Sequence, residues 1–236
     1  MKWGVWGANM TAAEMARHIE NAVAADVHTF DHADIYGGYT TEAAFGEAFA
    51  LADVEREEVE FISKCGICYP SEGTPHAVKR YDYSAAHIRR SAENSLRNLQ
   101  TSYLDLFLLH RPSPLLDPRE SVDELERLKS EGKIRSWGVS NFTPSQVTLV
   151  STCGQPAWNQ IECSLTHTDP LTDGTLDHHQ VHKIGTMAWS PMGALFTHDS
   201  PQTERIQNIM HRLVEQYSAP VEVLLLAWLM RHPAGI

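Results

Sequence analysis

The chain has 236 residues, of which 42% are hydrophobic, and a formal net charge of -11. This length and hydrophobic content allow one large globular domain with a sizeable core, and they exclude a disordered or fibrous protein. The negative charge disfavours nucleic acids and anionic membrane surfaces as partners, and the longest apolar run, Val223 to Met230, is too short to span a bilayer.

The N-terminus and the cysteines indicate the cellular compartment. Met1-Lys2-Trp3-Gly4 lacks the apolar region of a signal peptide. The four cysteines are Cys65, Cys68, Cys153 and Cys163. Because the chain carries no export signal, we expect these cysteines to be reduced thiols and the protein to be cytoplasmic.

Short apolar runs alternate with helical patterns in the first half of the chain. In order, the patterns predict a strand at 3–6, a helix from Thr11, a strand at 27–33, a helix at 41–51, a strand at 60–67, a polar loop to Asp82, a helix at 84–99 and a strand at 104–109. Thr11 and Glu14 have the spacing of a capping box, in which each side chain accepts from the other residue's backbone.

The second half continues the alternation. It predicts a helix capped by Ser121 and Glu124 and ended by Gly132, a strand at 134–139, a helix from Thr143-Pro144, a strand at 157–163, a helix at 176–182, a strand at 185–189, a helix from Ser200-Pro201 and a last helix from Pro220 to Pro233.

Seven strand-then-helix units in succession predict parallel strands joined by right-handed crossovers. A closed barrel and a doubly wound open sheet both satisfy this pattern. Gly4-Val5-Trp6-Gly7 after the first predicted strand is not the G-x-G-x-x-G fingerprint, so the open dinucleotide-binding sheet is disfavoured. We predict a single α/β domain over 1–236, a (β/α)8 TIM barrel truncated at both ends and lacking its closing eighth strand and last helices.

Four polar side chains fall at the ends of predicted strands, where barrel enzymes carry their chemistry. Asp31 and Tyr36 follow the second strand, Lys64 lies in the third, and His110 ends the fourth. A buried ammonium needs a partner, which Asp31 can supply, and a cation beside a phenol makes the phenol more acidic. These groups suit carbonyl reduction, in which hydride adds to carbon while Tyr36 gives a proton to oxygen and His110 orients that oxygen.

Six motifs, in order, resemble those of the aldo-keto reductase family. They are Phe-Asp-His-Ala-Asp-Ile-Tyr-Gly-Gly at 30–38, Ile-Ser-Lys at 62–64, Leu-Leu-His-Arg-Pro at 108–112, Gly-Val-Ser-Asn-Phe at 138–142, Asn-Gln-Ile-Glu at 159–162 and Trp-Ser-Pro-Met-Gly at 189–193. The resemblance covers essentially the whole chain, and the ordered set is highly specific. The first motif further resembles a YdhF-like branch of bacterial oxidoreductases.

The resemblance implies an NAD(P)H-dependent oxidoreductase that reduces an aldehyde or ketone to an alcohol. In that family pattern Tyr36 is the general acid/base, Lys64 tunes it, Asp31 holds Lys64 and His110 helps to orient the substrate. The partner implied is a small carbonyl compound, with no nucleic acid or membrane, and we expect a monomer or a weak homo-oligomer.

The resemblance also implies which residues bind the cofactor. The nicotinamide carboxamide would be held by Ser140, Asn141 and Gln160, and Trp189 would stack on the ring where the family usually has a Tyr. The pyrophosphate would be approached by the backbone of Ser190, Met192 and Gly193. The mouth of the cofactor and substrate site would be lined by Gly4 and Trp6. An indole can replace a phenol in stacking. The family binds the 2′-phosphate of NADP with a segment that would follow residue 236, so NADP (NADPH) is expected and NAD is possible.

Simpler interpretations exist for the same residues. On side-chain chemistry alone, Asp31 and Lys64 fit a structural ion pair equally well, and His110 fits a satisfied core histidine. Cys65-Gly66-Ile67-Cys68 has the spacing of a redox pair. However, it ends a strand instead of opening a helix, and no second such pair completes a zinc site, so we predict neither a redox centre nor a metal.

Two other functions remain open at this level. Aldo-keto reductases resemble potassium-channel β subunits, so the chain fits a catalytically weak or inactive cofactor-binding regulatory protein. A metal-dependent hydrolase barrel would place several histidines at strand ends, whereas His32 and His110 are the only obvious ones.

Overall fold

The computed structural model describes residues 3–72, 74 and 77–236. Met1 and Lys2, on which the signal-peptide argument rests, and part of the predicted polar loop (73, 75 and 76) lie outside the described residues. The chain forms two compact units. Unit 1 comprises Met1–Val139 with Leu149–Gln155, and unit 2 comprises Ser140–Thr148 with Pro156–Ile236. The single domain over 1–236 stays a prediction.

The described residues form helices and strands in alternation. The helices are α1 (Ala12–Ala24), α2 (Thr41–Phe49), α3 (Ala85–Asn98), α4 (Pro118–Ser130), α5 (Pro144–Ser151), α6 (Thr175–His182), α7 (Pro201–Tyr217) and α8 (Val221–Met230). The strands are β1 (Thr29–Asp31), β2 (Glu60–Cys65), β3 (Ile67–Cys68), β4 (Arg80–Tyr81), β5 (Leu104–Leu109), β6 (Ile134–Ser140), β7 (Trp158–Glu162) and β8 (Gly185–Trp189).

Unit 1 is built on parallel strands. β1 pairs with β2, β2 pairs with β5, and β5 pairs with β6, all in parallel. The backbone N–H of His110 extends the ladder by donating to Cys65 O at 2.9 Å. Because parallel strands end at one edge, the residues after β1, β2 and β5 gather at the carboxyl edge of this sheet.

The core of unit 1 places α2 against β1 and β2 through aromatic rings. Phe45 lies 5.3 Å from Phe30 and 5.4 Å from Phe61, measured between ring centroids. All three are buried, and each contributes roughly 1.5–3 kcal/mol by leaving water. α2 also approaches α3 closely, since a Cβ at Gly46 would lie 2.1 Å from Asn98 O.

Unit 2 contains the parallel pair β7 and β8, with Glu162 opposite Trp189. Its apolar interior includes two clusters of buried side chains, Ile161, Cys163, Leu176 and Leu229 in one, and Leu195, Met210 and Leu225 in the other. Within the described ranges, no single helix is long and apolar enough to cross a membrane. α7 and α8 meet the length and composition test only as a pair bent by 93°.

Several sequence predictions are confirmed. Thr11 and Glu14 form the predicted capping box, the helix predicted at 84–99 is present as α3, and Ser200 precedes α7 with Pro201 in its first turn. Gly132 follows α4 with φ +73°, the left-handed conformation favoured after a helix end. The four cysteines are free thiols.

The first predicted strand is wrong. Residues 3–8 form bends and turns, in which Gly7 N donates to Gly4 O at 2.9 Å and Met10 N donates to Trp3 O at 2.9 Å. These backbone donors are satisfied locally, so the segment gives no strand to the sheet. Six parallel strands are therefore followed by helices in the described part of the chain, instead of the seven that the pattern predicted.

Two other local predictions are wrong. Ser121 does not cap a helix, because α4 begins three residues earlier, where Asp117 Oδ1 accepts from Arg119 N at 2.9 Å and from Glu120 N at 3.2 Å and Pro118 opens the first turn. The predicted polar loop before Asp82 also contains β4, which pairs antiparallel with β3.

Candidate active site

The Lys64 ammonium is the charged centre of the site in unit 1. Its Nζ donates to both carboxylate oxygens of Asp31 at 2.7 Å and to His32 O at 2.6 Å. The Lys64 side chain is fully buried, while 36% of the Asp31 side chain is exposed. β1 and β2 produce this arrangement, since the parallel register sets Asp31 opposite Ile62, two residues before Lys64. The predicted ion pair is present.

Tyr36 lies in the turn after β1. Its backbone N–H donates to Ala33 O at 3.1 Å, and its carbonyl accepts from Thr41 N, the first residue of α2, at 3.2 Å. Gly37 follows with φ +64°, and a Cβ there would lie 2.5 Å from Thr41 Oγ1, so the turn requires glycine. The turn sets the phenol ring 5.2 Å from Lys64 Nζ, measured to the ring centroid.

His110 stands edge-on to the phenol. The ring centroids of Tyr36 and His110 are 5.8 Å apart and their planes meet at 77°. Burial, followed by the positive charges of Lys64, Arg111 and Lys79, lowers the pKa of His110 to about 3. At neutral pH the imidazole is therefore uncharged, with one N–H donor and one acceptor nitrogen. His110 Nδ1 is buried without a hydrogen-bond partner in the described part of the chain.

Other buried titratable groups surround this site. Burial and the nearby Glu42 raise the pKa of Asp34 well above its usual value. Burial lowers the pKa of His32 far below its usual value, and neither ring nitrogen of His32 has a hydrogen-bond partner among the residues described. Neither side chain was predicted to be catalytic, although both lie in the 30–38 motif and the His32 carbonyl accepts from Lys64.

Gly4 and Trp6 lie in the N-terminal turn of unit 1. Gly4 is buried, and a Cβ there would lie 2.9 Å from Thr41 Oγ1, which is close to the Tyr36 turn. The Trp6 side chain is exposed and meets the ring of Tyr69 edge-on at 6.0 Å. The structure thus brings Gly4 against Thr41, at the end of the Tyr36 turn, while the ring of Trp6 meets Tyr69.

Four of the residues predicted to bind the cofactor come together in unit 2: Ser140, Asn141, Gln160 and Trp189. Trp189 Nε1 donates to Asn141 Oδ1 at 2.8 Å, Asn141 Nδ2 donates to Ser140 Oγ at 2.8 Å, and Ser140 Oγ donates to Gln160 O at 3.0 Å. Asn141 itself has φ +61° and donates its backbone N–H to Gln160 O at 2.8 Å. This chain of neutral hydrogen bonds fixes the Trp189 indole, a feature that the motifs alone do not reveal.

The segment after β8 turns sharply. Ser190 has φ +50° and Gly193 has φ +59°, and Gly193 N donates to Ser190 O at 2.8 Å. A Cβ at Gly193 would lie 2.1 Å from Thr166 Oγ1, so only glycine fits. The Met192 side chain packs against the buried cluster that contains Leu195. The Met192 side chain is therefore occupied by internal packing, while Ser190 is exposed.

The composition of unit 2 fits a dinucleotide. A nicotinamide carboxamide needs neutral donors and acceptors, which Asn141 and Gln160 carry, and an aromatic surface for the ring, which Trp189 carries. Turns that contain left-handed residues, such as Ser190 and Gly193, can present backbone N–H groups to phosphate oxygens.

Bacterial oxidoreductases are similar in sequence to nearly the whole chain. The oxidoreductase YcsN of Bacillus subtilis is 40% identical over 242 residues, which cover 99% of this chain and 81% of YcsN. The oxidoreductase YdhF of Escherichia coli is 41% identical over 236 residues, covering 98% of this chain and 78% of YdhF. A 6-dehydroglucose reductase of Agrobacterium fabrum is 38% identical over 243 residues, covering 99% of this chain and 81% of that protein.

Solved structures share the fold. The thermostable aldo-keto reductase Tm1743, in complex with an inhibitor, superposes with a TM-score of 0.80 at 28% identity, covering 99% of this chain and 80% of that one. An aldo-keto reductase of Klebsiella pneumoniae in complex with NADPH superposes with a TM-score of 0.74 at 28% identity, covering 94% and 73%. These likenesses and the repeated parallel strand-then-helix order confirm the predicted α/β class of the (β/α)8 barrel.

The sequence model of the Aldo/keto reductase family matches residues 1–236, which is the whole sequence. With the ordered motifs, the relatives and the shared fold, this match establishes that the chain is an oxidoreductase of the aldo/keto reductase family.

Proposed function

We propose that this protein is an NADPH-dependent reductase of a small aldehyde or ketone, with Tyr36 as the general acid. The observation that carries the proposal is the placement of the Tyr36 phenol beside two groups of different charge. The Lys64 ammonium lies 5.2 Å from the centre of its ring, and the neutral His110 imidazole lies 5.8 Å from it.

Tyr36 gives its phenolic proton to the carbonyl oxygen of the substrate. When bound, NADPH supplies the hydride that adds to the carbonyl carbon. The phenolate that Tyr36 becomes carries a negative charge, which the nearby Lys64 ammonium stabilises. All three Lys64 N–H groups already donate to Asp31 and to His32 O, so Lys64 acts through its charge and not by a hydrogen bond to Tyr36.

His110 orients the substrate. A neutral imidazole is a weak proton donor, because losing its single N–H proton would leave an imidazolate anion. Its low pKa keeps it in this form throughout the physiological range. The N–H is therefore suited to donate a hydrogen bond to the carbonyl oxygen, which polarises the carbonyl and leaves proton transfer to Tyr36.

Unit 2 supplies the cofactor contacts in this proposal. Asn141, Ser140 and Gln160 hold the carboxamide, the indole of Trp189 stacks on the nicotinamide ring, and the backbone of Ser190, Met192 and Gly193 approaches the pyrophosphate. The NADPH complex of the Klebsiella pneumoniae protein supports a nicotinamide cofactor. NADPH is proposed ahead of NADH, in line with that complex.

The test is a cofactor titration followed by turnover. NADPH fluorescence should change on binding to the purified chain, with NADH measured alongside. Oxidation of NADPH is then followed with a panel of aldehydes and ketones. The panel includes 6-dehydroglucose, because a relative 38% identical is a 6-dehydroglucose reductase. Binding with turnover of one carbonyl supports the proposal, whereas binding with none across the panel favours a cofactor-binding regulatory protein.

A further inference from the structure

A second cluster of reactive side chains lies where β3 and β4 meet α3. Cys68 stands opposite Arg80 in the antiparallel pair of β3 with β4. Asp82 follows β4 directly, and its backbone N–H donates to Gly66 O at 2.9 Å. This short ribbon therefore brings Asp82 back beside the segment that carries Cys68.

The start of α3 adds a histidine to this cluster. Ser84 caps the helix by accepting from His87 N at 3.3 Å. Asp82 Oδ1 accepts from Ser84 N at 3.1 Å and from Ser84 Oγ at 2.8 Å, which fixes the carboxylate. The other oxygen, Asp82 Oδ2, lies 4.0 Å from His87 Nδ1. Cys68 Sγ lies 4.0 Å from His87 Nε2.

We propose that Cys68, Asp82 and His87 bind a zinc ion, with a fourth position open to water. One ligand atom from each residue lies within 4.8 Å of the other two. Zinc bonds of about 2.0–2.3 Å put neighbouring ligand atoms of a tetrahedral site roughly 3.3–3.6 Å apart. The cluster thus reaches zinc geometry by closing about 1 Å, a distance within the range of side-chain rotation.

The chemistry of the three donors favours zinc over magnesium and calcium. A thiolate, an imidazole and a carboxylate form the mixed sulfur, nitrogen and oxygen set that zinc accepts, whereas magnesium and calcium take oxygen ligands. Cys68 and His87 are buried, at 0% and 6% exposure. Burial raises the pKa of the Cys68 thiol. Zinc binding therefore breaks the S–H bond, forms a Zn–S bond and releases the thiol proton to water.

The surroundings provide access and an outer partner. His87 lines a cavity of about 730 Å³ together with Arg80 and Arg90, so an ion can reach the ring. Two exposed guanidinium groups lie against the ligand atoms, Arg90 at 3.0 Å from His87 Nδ1 and Arg80 at 3.7 Å from Asp82 Oδ2. Both must turn outward into water when zinc takes these two atoms. Ser91 Oγ, 3.4 Å from His87 Nε2, then accepts the remaining ring N–H, as outer-shell partners of zinc histidines do.

The zinc site is separate from the reduction chemistry. The hydrogen bonds of Lys64 and the ring contacts of Tyr36 and His110 described above involve none of these three ligands. Its effect is to join the β3–β4 ribbon to α3. The C-x-x-C segment is thus explained by its second cysteine alone, with Asp82 and His87 completing the set that the sequence spacing left incomplete.

The test is a metal titration of the whole chain. Zinc is added to protein treated with a chelator and then desalted, and the melting temperature and the bound zinc are measured. One equivalent should bind, and the melting temperature should rise with the logarithm of the zinc concentration. Cobalt should bind at the same site and give a thiolate-to-cobalt charge-transfer band, which reports sulfur ligation directly.

Variants locate the site. Cys68→Ser should abolish the charge-transfer band and weaken zinc binding by more than about 100-fold, since losing even an outer partner costs about 10- to 100-fold. His87→Gln should weaken binding similarly, which keeps the test intact if Cys68→Ser does not fold. Cys153→Ser, a half-buried thiol elsewhere in unit 1, should bind zinc as the wild type does. Wild-type binding no tighter than that of Cys68→Ser and His87→Gln, or a wild type without the band, would overturn the proposal.

Discussion

The two polar clusters of the molecule are built from opposite kinds of group. In unit 1, the buried Lys64 ammonium uses all of its N–H groups on Asp31 and on one carbonyl, at 2.6–2.7 Å. In unit 2, neutral amide, hydroxyl and indole groups pass hydrogen bonds from Trp189 through Asn141 to Ser140. The first cluster contains two formal charges, of which the Lys64 ammonium is fully buried, while the second contains none.

This difference separates two tasks. A buried charge is costly to leave without its partner, so the unit 1 cluster is held in one arrangement and can impose a field on Tyr36. Neutral hydrogen bonds are each worth about 1 kcal/mol net, so the unit 2 cluster can exchange a partner for a ligand at little cost. Chemistry is therefore expected to depend on the charged cluster, and cofactor affinity on the neutral one.

Removing the charge should have the largest effect. Lys64→Met leaves the Asp31 carboxylate without its partner, which should cost about 3 kcal/mol of unfolding free energy and most of the turnover. The estimate is at the lower end of the usual range because 36% of the Asp31 side chain is exposed to water. Denaturant unfolding and NADPH oxidation measure the two effects.

Lys133→Met is the matched control. Lys133 also pairs with carboxylates, at 2.7 Å from Glu93 and 2.9 Å from Glu131, but at the surface of unit 1. Its loss should cost less than about 1 kcal/mol and leave turnover unchanged. Equal effects of the two substitutions would remove the distinction between a buried charged cluster and an ordinary ion pair.

Acid should destabilise the fold through His110. Its pKa is about 3 in the folded chain, against an ordinary value of 6.5, so the unfolded chain binds its proton first. Stability from this group is complete above pH 6.5 and declines as the pH falls toward 3. Between pH 7 and pH 5 the wild type should therefore lose about 2 kcal/mol more than His110→Gln does.

Unfolding in urea at the two pH values measures this difference. His198→Gln, which changes an exposed histidine of unit 2, should lose the same stability as the wild type. The raised pKa of Asp34 acts in the opposite direction, since a carboxyl protonated in the fold favours folding in acid. The comparison of His110→Gln with the wild type cancels that contribution. An identical acid loss in both proteins would show that His110 is not held neutral.

A change in the neutral cluster should have the smallest effect, confined to cofactor binding. Asn141→Gly removes the amide that accepts from Trp189 Nε1 but tolerates the φ of +61°. The dissociation constant of NADPH should rise about tenfold, which corresponds to one hydrogen bond. Fluorescence titration gives the constant. Lys183→Gly, at φ +54° in the same unit, is the matched control and should leave it unchanged; a lost turnover with unchanged affinity would reverse the assigned roles.

The sequence anticipated those parts of the fold that local chemistry determines. The helix that begins at Ser200-Pro201 was predictable because a hydroxyl one position before a helix satisfies an unpaired N–H, and proline suits the first turn. β5 matches its predicted bounds because a mostly apolar run between polar segments has few alternatives. β8 also matches its predicted bounds. The Asp31–Lys64 pair was predictable because a lysine within an apolar strand requires a partner.

Other features depend on neighbours that a sequence does not show. Trp3 to Trp6 is a short apolar run like a buried strand, yet the segment satisfies its own backbone donors in a turn. Ser121 and Glu124 fit a capping box, but Asp117 and Pro118 begin the helix earlier. The pair of β3 with β4, which gathers the proposed zinc ligands, is too short to produce a periodic signal.

The most direct test of the central claim is the turnover of Tyr36→Phe, measured together with its affinity for NADPH. Phenylalanine keeps the ring beside Lys64 and His110 and removes only the hydroxyl. If Tyr36 is the general acid, kcat should fall by about 10²- to 10⁴-fold, which is the usual contribution of such a group. The NADPH dissociation constant should stay within about twofold. A variant that retains full turnover would contradict the assignment of Tyr36 as the proton donor.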